Sequence, residues 1–166
     1  MHPIAAIKVK HISKKCYKIY EQINKSRRLD TNGNGGKLDA FRHTFFMAAF
    51  VQKIKIKKIY KLGIAHEKTN YKQFLKNEFE NGELPDSIGT VMDLKNNNLG
   101  FEIGNNAKKI SLVELSELVI TDIKGGLAFI IKRNKYGNYV DCDGNTILPD
   151  KTKKWSNNKC LVKSNE

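Results

Sequence analysis

The sequence predicts a mainly α protein, a compact helical domain with a small C-terminal β-meander. Three observations carry that expectation. Apolar residues recur at helical spacing through most of residues 4–124, the patterning turns towards period two only after residue 127, and Gly125-Gly126 stands at the change. A chain of 166 residues fits a single domain over 1–166, large enough to bury a core of its own.

Taken in order, residues 4–28 place Ile12, Cys16, Ile19 and Ile23 at steps of four, three and four, with Lys8, Lys14, Lys15 and Lys18 among them. That is an amphipathic helix with a basic outer face. Asp30-Thr31-Asn32-Gly33-Asn34-Gly35-Gly36 concentrates turn formers and stops it. Residues 37–52 resume as a helix rich in Phe and Ala, and its run of seven apolar residues, 45–51, is the longest in the chain. A bilayer-spanning helix needs about twenty, so no span is expected. Residues 53–62 repeat lysine and isoleucine before Gly63, and 64–79 read as a further helix, broken by Asn81-Gly82 and Pro85.

Residues 87–104 form the next helix, weakened by Gly89, Gly100 and an asparagine run. Ser111 and Glu114 then have capping-box spacing ahead of Leu112, Leu115, Leu118 and Val119, and Gly125-Gly126 closes that helix. The motif-bearing helical core thus spans 37–105. The β-meander is expected over 127–148, from the apolar run 127–131, the turn 134–137, extended Tyr139-Val140 and the Asp143-Gly144 hairpin signal before Thr146-Ile147-Leu148. Residues 150–166 are polar and lysine-rich with Trp155 as their one large anchor, and are expected to form a loosely held polar tail.

The net charge of +13 is unevenly placed: residues 77–123 hold three basic and nine acidic residues, a balance of −6, which leaves +19 on the remainder. A basic surface of that size attracts polyanions, with nucleic acid or an anionic membrane surface as candidate partners, although isolated lysines also serve simply to solvate a domain. Cys16, Cys142 and Cys160 are odd in number and far apart, without a CxxC pair, so free thiols or one disulfide are expected rather than a zinc or redox site.

Three segments carry the residue types of a reactive site. In Asp39-Ala40-Phe41-Arg42-His43 the carboxylate and the imidazole lie four apart and share a helical face, where they can act on one centre or merely stabilise the helix. His66-Glu67 offers a second imidazole and carboxylate, which point about 100° apart on a helix, so one can serve as a ligand and the other as its support. In Met92-Asp93-Leu94-Lys95-Asn96-Asn97-Asn98-Leu99-Gly100, Asp93, Asn96, Asn97 and Gly100 fall on one stripe, a carboxylate, two amides and a gap open to a substrate. Asp30, Asn32, Asn34 and Gly35 match the opening of a calcium loop, but its twelfth position is Phe41 rather than Glu, which argues against an EF-hand. Asp141-Cys142-Asp143-Gly144 reads as a hairpin turn.

These three segments, over about residues 37–105, resemble an uncharacterised bacterial helical domain family with Asp-Ala-Phe-Arg-His, His-Glu and Met-Asp-Leu-His-Asn-Asn-x-x-Gly-Arg motifs. Lys95 stands where that family has His, and Phe101 where it has Arg. The family's members are often parts of secreted or polymorphic-toxin-like proteins. The resemblance implies a clustered polar site in a helical domain and a toxin-like context, which admits a cognate immunity protein as partner. The apolar stretch 3–7 before Lys8 is too short for a signal-peptide core, so synthesis in the bacterial cytoplasm without a signal peptide is expected, with any export left to a specialised secretion system.

The leading functional expectation is a hydrolase of phosphoesters, a bacterial effector acting on a lipid-linked phosphate or a nucleic acid. Asp39, His43, His66 and Asp93 are its candidate ligands for a divalent metal, a mixed imidazole and carboxylate set. His43, His66, Glu67 and Arg42 are its candidate catalytic groups, and Asn96 and Asn97 its candidate substrate contacts. The alternative is a non-catalytic basic module that grips a polyanion, in which the same residues only specify helix packing. A folded fragment recognised by an inhibitor protein is a third.

Overall fold

A computed structural model describes residues 3–79, 82–148 and 153–166. The break expected at Asn81 and the first residues of the polar tail, 150–152, lie outside the described residues. The chain runs α1 (Pro3–Ser26), α2 (Lys37–Val51), α3 (Ile56–Leu75), α4 (Ser87–Asn106), α5 (Leu112–Lys124), β1 (Phe129–Ile131) and β2 (Leu161–Lys163). The mainly α expectation is met, and five of the expected helical segments are found.

Helix α2 is the axis of the core. It is buried nearly all round, with Phe41 and Phe45 fully enclosed and stacked at 5.1 Å between ring centroids. A helix that is apolar on every face must be covered on every face, and the cluster that covers it takes side chains from α1, α3, α4, α5 and β1. Against α4 the cover is backbone on backbone. A Cβ at Gly100 would lie 2.3 Å from the Thr44 carbonyl oxygen, and one at Gly104 would lie 2.2 Å from that of Ala48. The two glycines, four apart, face Thr44 and Ala48, also four apart, so the helices meet along a seam of small residues. The glycines that weakened α4 as an isolated helix are what let it dock.

Two start signals have visible causes. The Asp30 carboxylate accepts from Lys37 N at 2.7 Å and Leu38 N at 3.1 Å, closing the turn-rich loop onto the first turn of α2. Those bonds occupy Asp30 in the role of a helix cap, in place of the calcium ligand that its spacing offered. The Ser111/Glu114 capping box opens α5 as expected.

Three expectations are corrected. Gly63 lies inside α3 rather than at its boundary, and a Cβ there would meet Asn97 Nδ2 at 3.3 Å, so it serves the approach of α3 to α4. The meander over 127–148 is not a continuous sheet: β1 pairs antiparallel with β2, while Arg133 with Tyr139 and Val140 with Thr146 form isolated bridges. The tail is anchored over its described residues. Cys160 is disulfide-bonded to Cys142, Ser164 Oγ donates to the Ile123 carbonyl at 2.6 Å, and Trp155 packs at 4.8 Å from Tyr71. Cys16 is free and buried, and burial pushes its thiol up to about 12.

Candidate metal and catalytic site

Asp39 and His43 stand one turn apart on α2, and Asp93 and Asn97 one turn apart on the facing side of α4. The seam at Gly100 and Gly104 brings these two faces within hydrogen-bonding distance. His43 Nε2 lies 3.2 Å from Asp93 Oδ1 and 3.6 Å from Asp39 Oδ1, and all three residues are buried. Behind the ring, His43 Nδ1 lies 3.3 Å from Asn97 Oδ1. Arg42 donates to Asp39 Oδ1 at 2.7 Å and stands 3.1 Å from His43 Nε2. The tautomer that satisfies both ring contacts carries its proton on Nδ1, donated to Asn97, and turns the Nε2 lone pair towards the carboxylates and Arg42.

The electrostatics favour that neutral imidazole. Burial holds His43 well below the ordinary 6.5, reinforced by the Arg42 and His66 charges and opposed by the Asn97 bond. Burial pushes the Asp39 carboxyl above its ordinary range, against the pull of Arg42, of the Gly35 N–H at 2.8 Å and of His66. Asp39, His43 and Asp93 each offer one ligand atom, and these atoms lie within 4.8 Å of one another, a group able to hold a metal ion.

The triad backs onto a cleft of about 60 Å³, room for roughly two water molecules. Asp39, Arg42 and Asp93 open onto it, while His43 lies behind them. The opposite wall comes from the segment after α5 and includes Ile131, Tyr139 and Lys159. Lys159 Nζ is buried, 2.6 Å from Asp86 Oδ2, and sits 3.8 Å over the Tyr139 ring. Burial and the neighbouring Glu83 raise the Tyr139 hydroxyl, which stays protonated and donates to Glu83 Oε2. Asp86, the α4 cap that accepts from Gly89 N at 2.7 Å, was missed in the sequence although an Asp just before a helix start is a signal for it, whereas Lys159 and Tyr139 carried no signal that set them apart from other lysines and strand residues.

The remaining candidates fall outside the triad. His66 is exposed beside it, its ring centroid 6.2 Å from that of His43. Glu67, turned inward, is buried and accepts from Asn70 Nδ2 at 3.1 Å; it does not line the cleft, and Asn70, unremarked in the sequence, does. Asn96 is not a substrate contact. It is fully enclosed, donates to the Phe129 carbonyl at 2.9 Å and accepts from the Phe129 N–H at 2.9 Å, fastening β1 to α4 as a neighbouring strand would. Asn97 is also sealed, and its role is to hold the His43 ring. Lys95 is exposed, 4.6 Å from the Phe129 ring centroid, and Phe101 is buried in the core.

Residues 1–126 match a family described as a domain of unknown function, DUF6973. The chain belongs to this family. The match takes in α1 to α5 and the whole triad, and ends before β1, so the cleft wall carrying Tyr139 and Lys159 lies beyond it. No curated protein and no solved structure matches the chain.

Proposed function

We propose that this DUF6973 protein is a metal-assisted hydrolase acting on a phosphate-bearing substrate. The observation that carries the reading is the convergence of one imidazole nitrogen and two buried carboxylates at the floor of a cleft. A lone pair and two negative groups repel one another unless a cation lies among them. Asp39 pairs with Arg42 and Asp93 stands 3.2 Å from His43 Nε2, and a divalent ion among these ligand atoms would offset the charge that two carboxylates bring to a buried site. One nitrogen and two carboxylate ligands suit zinc, manganese or magnesium.

Asp39, His43 and Asp93 would hold a divalent ion, which when bound would supply Lewis acidity towards a phosphoryl oxygen and lower the pKa of a water. The chain's own groups do the rest. Asn97 fixes the His43 ring so that Nε2 faces the Asp39 and Asp93 carboxylates. Arg42, a fifth exposed, meets the charge of the phosphate. In the hydrolysis a water oxygen bonds to phosphorus and gives up one proton, the bond from phosphorus to the leaving oxygen breaks, and the leaving oxygen takes up a proton in exchange, the exposed His66 being the proposed carrier between them. Glu67 acts at one remove by holding Asn70. The motif resemblance supports a toxin-like, secreted context and hence a lipid-linked phosphate or a nucleic acid as substrate, with an immunity protein as partner.

A second reading has one observation of its own. Arg42 already bridges Asp39 and His43, as it would if the cluster only specified helix packing in a polyanion-binding module. Calorimetric titration with zinc, manganese, magnesium and calcium, on wild type and on Asp93→Asn, separates the two. Binding by wild type alone, with ion-dependent turnover of a generic phosphodiester, is the expected result. Equal binding by both, or none by either, leaves the module.

A further inference from the structure

At the other end of α2, about 20 Å from Asp39 by helical rise, α1 lies across the end of α2 and the start of α5 without closing the gap. Two adjoining hollows of about 410 Å³ and about 300 Å³ share His11, Ile12 and Lys53. Their apolar surface is aliphatic, with the His11 ring and the Ser111 hydroxyl beside it. Ile7, 69% exposed, stands at one end, and Ile110 and Leu112 lie at the other. Gln52, the polar group best placed to interrupt that surface, spends its amide on the Ala107 and Ile110 carbonyls, at 2.6 and 3.2 Å.

Lysines ring the groove. Lys8, Lys15 and Lys53 line it, are exposed, and make no ion pair among the described residues. Lys55, Lys57 and Lys58 continue the positive charge along the start of α3. We infer that this groove is a docking site for an anionic lipid surface, with an acyl chain against the isoleucines and the phosphate headgroups on the lysine rim.

The lining decides between the polyanions. Single-stranded nucleic acid is gripped by stacking on successive aromatic rings, whereas the groove offers one ring, that of His11, among the aliphatic Ile7, Ile12, Ala49, Ile110 and Leu112. Protein interfaces are depleted in lysine and anchored by aromatic residues and arginine. Aliphatic side chains with lysines above them, stems along apolar surface and ammonium groups at the headgroups, are what the membrane interface selects. No described helix is long and apolar enough to cross a membrane, so the contact is peripheral. The inference stands apart from the hydrolase reading and uses none of its residues.

The test is co-sedimentation of the full chain with vesicles of phosphatidylcholine containing phosphatidylglycerol, and with vesicles of phosphatidylcholine alone. Wild type should bind the first and not the second. Replacing Lys8, Lys15 and Lys53 together by Ser should weaken partitioning on the order of a hundredfold, from about fivefold for each lysine at an anionic surface. Ile7→Ser should weaken it severalfold, and that loss should persist at high salt, where charge is screened. All four side chains are exposed, and unchanged thermal unfolding confirms that the variants fold. Asp93→Asn, which removes a proposed metal ligand, should bind vesicles as wild type does. The inference is overturned by a lack of binding to the anionic vesicles, by full binding of the lysine variant, by an Ile7→Ser variant indistinguishable from wild type, or by tighter binding to a duplex oligonucleotide than to the vesicles.

Discussion

The α2–α4 pair and the segment after Gly126 both bury polar groups, by opposite means. Between the helices the backbones hydrogen-bond internally, so contact needs only small residues, and Gly100 and Gly104 against Thr44 and Ala48 supply it. The later segment has two strands of three residues each and borrows its partners from afar. Asn96 clamps Phe129, Lys132 N donates to the Cys160 carbonyl at 2.8 Å, and Asp86 pairs with Lys159. The difference divides the site as well: the triad belongs to the helix pair, and the opposite wall of the cleft to the later segment. The candidate ligands and the wall opposite them therefore come from separable regions, and the matched family covers only the first.

The sharpest way to break that division is at the seam. Gly100→Ala places a methyl group 2.3 Å from the Thr44 oxygen, an approach relieved only by moving the helices apart. Overpacking of this kind costs about 3 kcal/mol, measurable by chemical denaturation. Because His43 precedes Thr44 and Asp93 lies on the displaced helix, metal affinity should fall at least about tenfold with it. A stable variant with unchanged affinity would show that the seam does not position the triad.

The later segment is tested at its staple. Cys142 and Cys160 are 18 positions apart, and closing a loop of that size stabilises by about 3 kcal/mol. The Cys142→Ser/Cys160→Ser variant should lose about that much, and hydrogen exchange should open residues 129–163 first. Metal affinity should hold, since no triad ligand lies beyond Asp93. Loss of metal binding on reduction would join the two regions into one unit.

Acidification probes the triad itself in metal-free protein. His43 has a folded pKa below its unfolded value, so the unfolded chain binds the extra proton: its contribution is fully present above about 6.5 and is lost as pH falls towards the folded value. Asp39 works in the opposite sense. Its folded pKa is raised, so its burial penalises the fold above that value and the penalty lifts on acidification. A thermal unfolding series in chelator should show stability falling below about pH 6.5 in wild type, less so in His43→Asn, and more steeply in Asp39→Asn. Identical profiles for wild type and His43→Asn would mean the imidazole is not buried neutral.

What the sequence disclosed follows the same division. Asp39 and His43 could be paired because one helical turn is a local property, and the capping box at Ser111 is local too. Asn96 was misread because adjacent residues on a helix point about 100° apart: Asn97 faces His43 and Asn96 faces β1, and a shared stripe conceals that. The anchored tail was illegible for a stronger reason. Lys159 meets Asp86 across 73 positions and Ser164 meets Ile123 across 41, and no period or spacing signals partners so distant. The same holds for the cleft wall, whose lysine looked like its solvated neighbours.

The smallest expected effect calibrates the others. Ser111 accepts from Glu114 N at 3.2 Å, and Glu114 Oε2 accepts from Ser111 N at 2.8 Å, on an exposed corner that belongs to neither the seam nor the staple. Those bonds hold the Glu114 carboxyl below its ordinary value, the backbone bond first. Ser111→Ala removes one side of the box and should cost about 1 kcal/mol, with metal affinity, cleft protection and exchange in residues 129–163 unchanged. Measured by denaturation beside Gly100→Ala and the cysteine variant, it sets the scale of a purely local helix contribution. If Ser111→Ala were as damaging as either, α5 would be a hinge between the helical region and the segment that follows it, and the separation of triad from wall would fail at that helix.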